Sequence, residues 1–158
     1  MYIVESQREA NVLKQAIQLN EELFPRNENY SLSTWLSLRV FVLYTVEGTF
    51  VGYCATKYMK LNGEWGMYIY SFAISPESRG KGYGELLLRH VIDKLEEEME
   101  TTENIILWVR LTNITAINLY KKVGFTITKV MEELYDGEDG YVMKKVINDN
   151  TISNDNYR

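Results

Sequence analysis

A chain of 158 residues, 46% hydrophobic and 25% charged, can bury a core without disulfides or a structural metal, and no apolar run reaches membrane-span length. The formal net charge of −5, from 17 Lys plus Arg against 22 Asp plus Glu, repels a nucleic-acid backbone, and no basic run is set apart to offset it. Cys54 and His90 are each the only residue of their kind, which excludes an intrachain disulfide and a Cys- or His-rich metal site.

The start, Met1-Tyr2-Ile3-Val4-Glu5, lacks the basic flank and apolar stretch of a secretory signal, so the cytoplasm is the expected compartment. Ser6 with Glu9 reads as a capping box, and Val12, Ala16, Leu19 and Leu23 repeat at helical spacing, predicting a first helix from Gln7 to Leu23. Phe24-Pro25 stops it, Arg26-Asn27-Glu28-Asn29 forms a polar loop, and a short helical stretch follows around Ser33 to Leu38. From Val40 the period changes to that of a strand, giving Val40 to Val46, a Glu47-Gly48 turn and Thr49 to Leu61, where Cys54 reads as a small core residue. Asn62-Gly63 is the strongest hairpin signal in the chain, and Trp65 to Ile74 completes that hairpin before Ser75-Pro76 ends the strand.

Next comes Arg79-Gly80-Lys81-Gly82-Tyr83-Gly84, then a helix from Gly82 to Met99 whose Leu87, Leu88, Val91, Ile92 and Leu95 share one face, with His90 off that stripe and solvated. The acidic run Glu96-Glu97-Glu98 reads as a solvated helix end. Ile105 to Arg110 is a short strand, Asn113 can cap a helix running to Val123, and Gly124 suits its C′ position. Phe125 to Leu134 and Gly140 to Val146 form a last hairpin across Asp136-Gly137-Glu138-Asp139, and a polar tail expected to be disordered covers 148–158. The expected organisation is one domain, 1–147. The glycine segment lies in a strand-helix-strand crossover, which pairs its two strands in parallel.

Three glycines and two cations between a strand and a helix N-terminus make a phosphate cradle, because glycine admits φ > 0 and the free amides of the helix favour an anion. The dinucleotide fingerprint G-x-G-x-x-G fails, since Glu85 or Leu87 stands where the third glycine belongs. The Walker loop fails too: Gly80-Lys81 is followed by Gly82 where a hydroxyl for Mg²⁺ is needed.

Arg79-x-x-Gly82-x-Gly84, together with Asn113-x-x-Ala116-x-x-Leu119-Tyr120-x-x-x-Gly124-Phe125 about thirty residues later, resembles the GNAT superfamily of acetyl-CoA-dependent N-acetyltransferases, and the resemblance covers nearly the whole ordered chain. It implies an α/β fold with a mixed, mostly antiparallel sheet, one parallel crossover at the cofactor site and flanking helices. It implies acetyl-CoA as cofactor, with the backbone of Phe72, Ala73 and Ile74 pairing with the pantetheine arm and the segment Arg79, Gly80, Lys81, Gly82, Tyr83 and Gly84 holding the pyrophosphate. Asn113 and Ala116 belong to the other half of the cofactor site, and Tyr120 is placed beside the sulfur. The readings from the residues alone remain a plain helix cap for Asn113 and a core aromatic for Tyr120.

Acyl transfer from a thioester to an amine needs a neutral amine, a donor for the oxyanion and a proton for the leaving thiolate. A phenol titrating near ~10 can protonate a thiolate whose thiol titrates near ~8.5, which suits Tyr120. N-terminal protein acetyltransferases often carry a His or Glu base on the strand before the second motif, but Trp108 stands at the matching position here. Glu28, Tyr70 and a water chain remain as routes for the amine proton.

Leu23-Phe24-Pro25 with Asn27-Glu28-Asn29-Tyr30, and Tyr135 to Lys144, resemble the substrate loop and closing hairpin of the N-terminal protein acetyltransferases, including the ribosomal-protein alanine branch. The implied acceptor is a peptide N-terminal α-amine, with a small-molecule amine and a non-catalytic acyl-CoA-binding module as alternatives. The implied protein is a monomer or homodimer with no nucleic-acid or membrane partner and no metal.

Overall fold

A computed structural model of the chain describes residues 1–5, 9–101 and 103–148. Ser6, the first two residues of the expected first helix and the tail beyond Asn148 lie outside the described residues, but Glu9 is described and is itself the extended N-cap of a helix that begins at Ala10, so it is not the inner residue of a capping box. In chain order the elements are β1 (Tyr2–Glu5), α1 (Ala10–Leu23), α2 (Leu32–Ser37), β2 (Arg39–Tyr44), β3 (Phe50–Leu61), β4 (Glu64–Ile74), α3 (Tyr83–Glu98), β5 (Glu103–Arg110), α4 (Ile114–Lys122), β6 (Thr126–Tyr135) and β7 (Glu138–Ile147). The seven strands run in the order β1-β2-β3-β4-β5-β7-β6. β4 and β5, joined through α3, are parallel, as the crossover requires. β1–β2, β2–β3, β5–β7 and β6–β7 are antiparallel. Among the described residues no helix is long and apolar enough to cross a membrane.

The chain divides into two compact units, Met1–Lys57 with Ile69–Val91, and Tyr58–Tyr68 with the chain from Ile92 onward. The core of the first is built by Val12, Ala16 and Leu19 of α1, Trp35 of α2, Val40 and Val42 of β2, Tyr53 and Ala55 of β3 and Ala73 of β4. Cys54 is fully buried there, and burial pushes its thiol far up, so it is a packing residue and not a nucleophile. His90 is exposed, its ring meeting the edge of Phe41. In the second unit Tyr68, Ile106 and Val142 form a buried group with Met59, Leu61, Trp108 and Met131 packed on it.

Both tight hairpins are set by pairs of left-handed residues. Asn62 (φ 49°) and Gly63 (φ 82°) join β3 to β4, and Asp136 (φ 47°) and Gly137 (φ 88°) join β6 to β7. These φ values belong to the turn whose twist matches that of the flanking strands. The last hairpin is therefore tighter than the four-residue turn expected from the sequence: Glu138 and Asp139 already belong to β7. The sequence placed all four residues in the turn, whereas Asp-Gly is itself a complete two-residue turn.

Candidate active site

The donor side begins where β4 ends. The parallel register of β4 with β5 comprises Met67↔Ile105 and Tyr68↔Ile106, and β4 continues six residues further to Ile74. Strand backbone groups alternate in direction along the chain. The Ser75 amide donates to the Val51 carbonyl of the β3 side at 2.8 Å, and the Ala73 carbonyl lies 2.4 Å from where a Cβ on Gly52 would sit. Ser75 and Ala73 thus face β3, and only glycine at 52 permits the approach. Tyr70, Phe72 and Ile74 face the other way. Of the three residues expected to pair with a ligand strand, Phe72 and Ile74 have the required direction and Ala73 does not.

Two side chains reach carbonyls on that edge. Tyr30 Oη donates to the Tyr70 carbonyl at 3.1 Å, and Arg79 Nε donates to the Ile74 carbonyl at 3.1 Å. Arg79 lies after a 3-10 turn, Pro76–Ser78, and is exposed like Lys81. Gly80 (φ 74°) and Gly82 (φ 79°) are left-handed, with no atom within 4 Å of a built Cβ, so it is backbone conformation and not crowding that demands glycine. The Gly82 carbonyl accepts the Leu86 amide at 3.1 Å and opens α3, putting Tyr83 and Gly84 in its first turn, where amides have no intrahelical acceptor. Amide donors, a helix N-terminus and two exposed cations are a donor set that fits a diphosphate.

The loop after α1 is held from below. Pro25 opens a 3-10 turn over Arg26–Glu28, with the Glu28 amide donating to the Pro25 carbonyl at 2.8 Å, and the Glu28 side chain is half-buried. Asn20 on α1 is 1% exposed. Its Oδ1 accepts from Tyr53 Oη and Ser71 Oγ, both at 3.0 Å, while its Nδ2 donates to Asn29 Oδ1 at 3.0 Å. The Tyr30 ring sits 4.7 Å from the half-buried Tyr70 ring and 6.0 Å from Trp35. Burial, and secondarily Tyr70, push the Tyr30 phenol up to about 12, so it stays a donor. Glu28 and Tyr70 therefore lie in one unit, with Tyr30 packed between loop and strand. Sequence reading passed over Asn20, although a polar residue four positions after Ala16 on the apolar stripe of α1 was the available signal.

In the other unit Asn113 is the N-cap of α4, its Oδ1 accepting the Ala116 amide at 3.3 Å, and Gly124 (φ 104°) follows the helix as expected. The helix-cap reading of Asn113 holds, and its Nδ2 donors are the groups left to meet a ligand. Tyr120, one turn beyond Ala116, is buried (7% exposed), with its ring edge-on to Phe125 at 6.0 Å. Trp108 is half-buried among apolar neighbours and offers no proton acceptor. Among the described residues no group of His, Cys, Asp and Glu could hold a metal ion.

At the tip of the β6–β7 hairpin Glu138 accepts from Arg110 Nη1 at 2.8 Å and from Thr112 Oγ1. The Arg110 guanidinium lies 4.5 Å from the centroid of the Tyr135 ring. The Thr112 hydrogen bond, and then Arg110, hold the Glu138 carboxyl below the usual 4.5.

The strand order and the parallel β4–β5 pair joined through α3, together with a glycine-opened helix, define the fold class of acyl-CoA N-acyltransferases. Residues 8–125 match the model of the Acetyltransferase (GNAT) family. The chain belongs to that family and is an acetyl-CoA-dependent N-acetyltransferase. It is 32% identical over 148 residues to an N-alpha-acetyltransferase of Sulfurisphaera tokodaii, covering 82% of this chain and 84% of that one. Arabidopsis thaliana Naa50, solved with the bisubstrate analogue CoA-Ac-MVNAL, superposes with a TM-score of 0.76 at 28% identity, covering 92% of this chain and 99% of that one. The ribosomal-protein-S18-alanine N-acetyltransferase from Escherichia coli gives 0.72 at 27% identity, covering 92% and 94%.

Proposed function

We propose that this acetyltransferase acts on the α-amine at the N-terminus of a peptide, within one catalytic domain spanning 1–147. The family match, which runs through both compact units, supports the single domain. The observation that carries the acceptor is the loop from Phe24 to Tyr30, fastened to α1 through Asn29–Asn20 and to β4 through Tyr30–Tyr70. A fixed loop suits an extended, directional substrate. The relative named N-alpha-acetyltransferase, matched over most of both chains, points the same way.

Acetyl-CoA, when bound, supplies an activated acetyl group as a thioester. The first-turn amides of α3 at Tyr83 and Gly84, with Lys81 and Arg79, would hold its diphosphate. Arg79 keeps Ile74 by one exposed hydrogen bond, so exchanging that bond for a phosphate contact costs little. The edge groups of Phe72 and Ile74 would align the pantetheine arm, and an edge amide there would donate to the oxyanion. Asn113 Nδ2 and the first turn of α4 around Ala116 would contact the cofactor, and Tyr120 would supply the proton for the departing thiolate. The amine proton leaves through water, with Glu28 and Tyr70 bordering its path. An α-amine titrates near ~7.7 to 8.0, so a useful neutral fraction exists at pH 7 without a base at Trp108.

Tyr120→Phe is expected to lower turnover by about a hundredfold while leaving acetyl-CoA affinity within about twofold; unchanged turnover removes Tyr120 from the mechanism. The acceptor is tested by measuring CoA release with unblocked peptides, α-blocked lysine peptides, polyamines and aminoglycosides. Peptide turnover that vanishes on α-blocking supports the reading, and turnover of polyamines alone overturns it. Tight acetyl-CoA binding without any turnover identifies a binding module.

A further inference from the structure

The acidic pair that opens β7 has no part in the chemistry above, yet it is among the most heavily engaged groups of its unit. Glu138 lies at the first position of β7, one residue past the Asp136-Gly137 turn. One carboxylate oxygen, Oε2, accepts from Arg110, the last residue of β5. The other, Oε1, accepts from Thr112, the residue before the Asn113 cap of α4. Asp139 follows suit: its carbonyl accepts the Leu111 amide at 3.2 Å, and its Oδ1 accepts the amide of Glu133, a left-handed residue (φ 52°) in the irregular stretch of β6. The β5–α4 junction and the hairpin tip are thus stitched together by side chains that are far apart in sequence.

The stitch has two arms. Through Arg110 it holds Tyr135, whose ring centroid lies 4.5 Å from the guanidinium. A Cβ on Gly140 would come within 2.7 Å of Leu134 Cδ2 and 2.9 Å of Tyr135 Cε2, so a larger residue there would press on both side chains. Through Thr112 it fixes the turn that presents Asn113. The hairpin bearing Tyr135 is the part of the chain that resembles an acceptor-closing segment, and Asn113 is the part assigned to the donor.

We propose that Glu138 is a positioning residue for acetyl transfer, holding the acceptor-side wall at Tyr135 with one carboxylate oxygen and the donor-side cap at Asn113 with the other. The proposal rests on the functional reading above only for which side of the reaction each arm serves. The Arg110 arm depends on negative charge and the Thr112 arm only on an acceptor oxygen, so substitutions can separate them.

The test uses the full chain with Glu138→Gln and Thr112→Val, each assayed for acetyl-CoA dissociation constant by titration and for acceptor KM with whichever amine the wild type turns over. Glu138→Gln keeps an acceptor for Thr112 and removes the partner charge of Arg110, so acceptor KM rises about threefold to tenfold while the acetyl-CoA dissociation constant stays within about twofold. Thr112→Val does the converse, weakening acetyl-CoA by about threefold to tenfold with acceptor KM nearly constant. Glu138→Asp, which retains the charge, restores part of the acceptor KM. Two variants that change neither constant overturn the proposal. So do variants that shift both constants together with a matching fall in melting temperature, because that is a purely structural role. If the wild type turns over no amine, the functional reading has failed, and the acetyl-CoA titration of Thr112→Val alone decides whether the clamp serves the donor cap.

Discussion

Two segments of the chain, the loop carrying Glu28 and the hairpin tip carrying Tyr135, are fastened by opposite physical means. The loop is held by uncharged groups in the core, Asn20 with Tyr53, Ser71 and Asn29, and by Tyr30 on the Tyr70 carbonyl. The tip is held by an ion pair at the surface, Arg110–Glu138, where the two side chains keep 28% and 33% of their exposure. Buried neutral networks are costly to leave half-satisfied and indifferent to salt, whereas an exposed pair contributes modestly and is screened. The loop's fastening is therefore indifferent to salt, whereas the Arg110 part of the tip's fastening is sensitive to it.

The sharpest way to break that contrast is Asn20→Ala. It removes the acceptor shared by the Tyr53 and Ser71 hydroxyls, which are left with only their mutual hydrogen bond of 2.7 Å, and frees Asn29, so a loss of about 1–3 kcal/mol is expected in urea unfolding, the same at low and high salt. A smaller loss, about 1 kcal/mol, is expected for Tyr30→Phe, which keeps the ring contacts and removes only the hydroxyl that reaches Tyr70. The pH dependence of this contact has a definite sign. A phenol raised from 10.0 to about 12 in the folded state contributes stability that is complete below pH 10 and fades as pH rises towards 12. Tyr30→Phe should lose that alkaline limb.

The smallest effect is expected at Glu138, and it lies at the other end of the pH scale. Its carboxyl is lowered from 4.5 by Thr112 and then Arg110, so its contribution is complete above pH 4.5 and is lost as pH falls through the folded value. Glu138→Ala should differ from wild type at neutral pH and low salt, and the difference should shrink in acid or in about 1 M salt as the Arg110 arm is lost, the Thr112 arm remaining. A Glu138→Ala loss that does not shrink in salt, or an Asn20→Ala loss that does, would erase the distinction between the loop and the tip.

What the sequence disclosed divides along the same line. Features set by neighbours in the chain were legible: the Asn62-Gly63 turn, the Asn113 cap, Gly124 after α4, and the two left-handed glycines that open α3. Features that join distant residues were not. Asn20 meets Ser71 across 51 positions and Arg110 meets Glu138 across 28, and neither pairing leaves a periodic or motif signal. Glu138 was hidden further because Asp136 to Asp139 read as a single turn. At the donor site the motif located the strand end but could not say which backbone groups face outward. The alternation fixed by Ser75 and Val51 supplies that, favouring Phe72 and Ile74 over Ala73.

The central claim is acetyl transfer from acetyl-CoA to a peptide α-amine on a platform formed by the Glu28 loop. Its most direct test is mass-spectrometric localisation of the acetyl group on a peptide that offers both a free α-amine and a lysine side chain. The account predicts acetylation at the α-nitrogen, with the lysine unmodified and no product from the α-blocked peptide. Acetyl found on the lysine, or on a polyamine in competition while the peptide stays untouched, would contradict it.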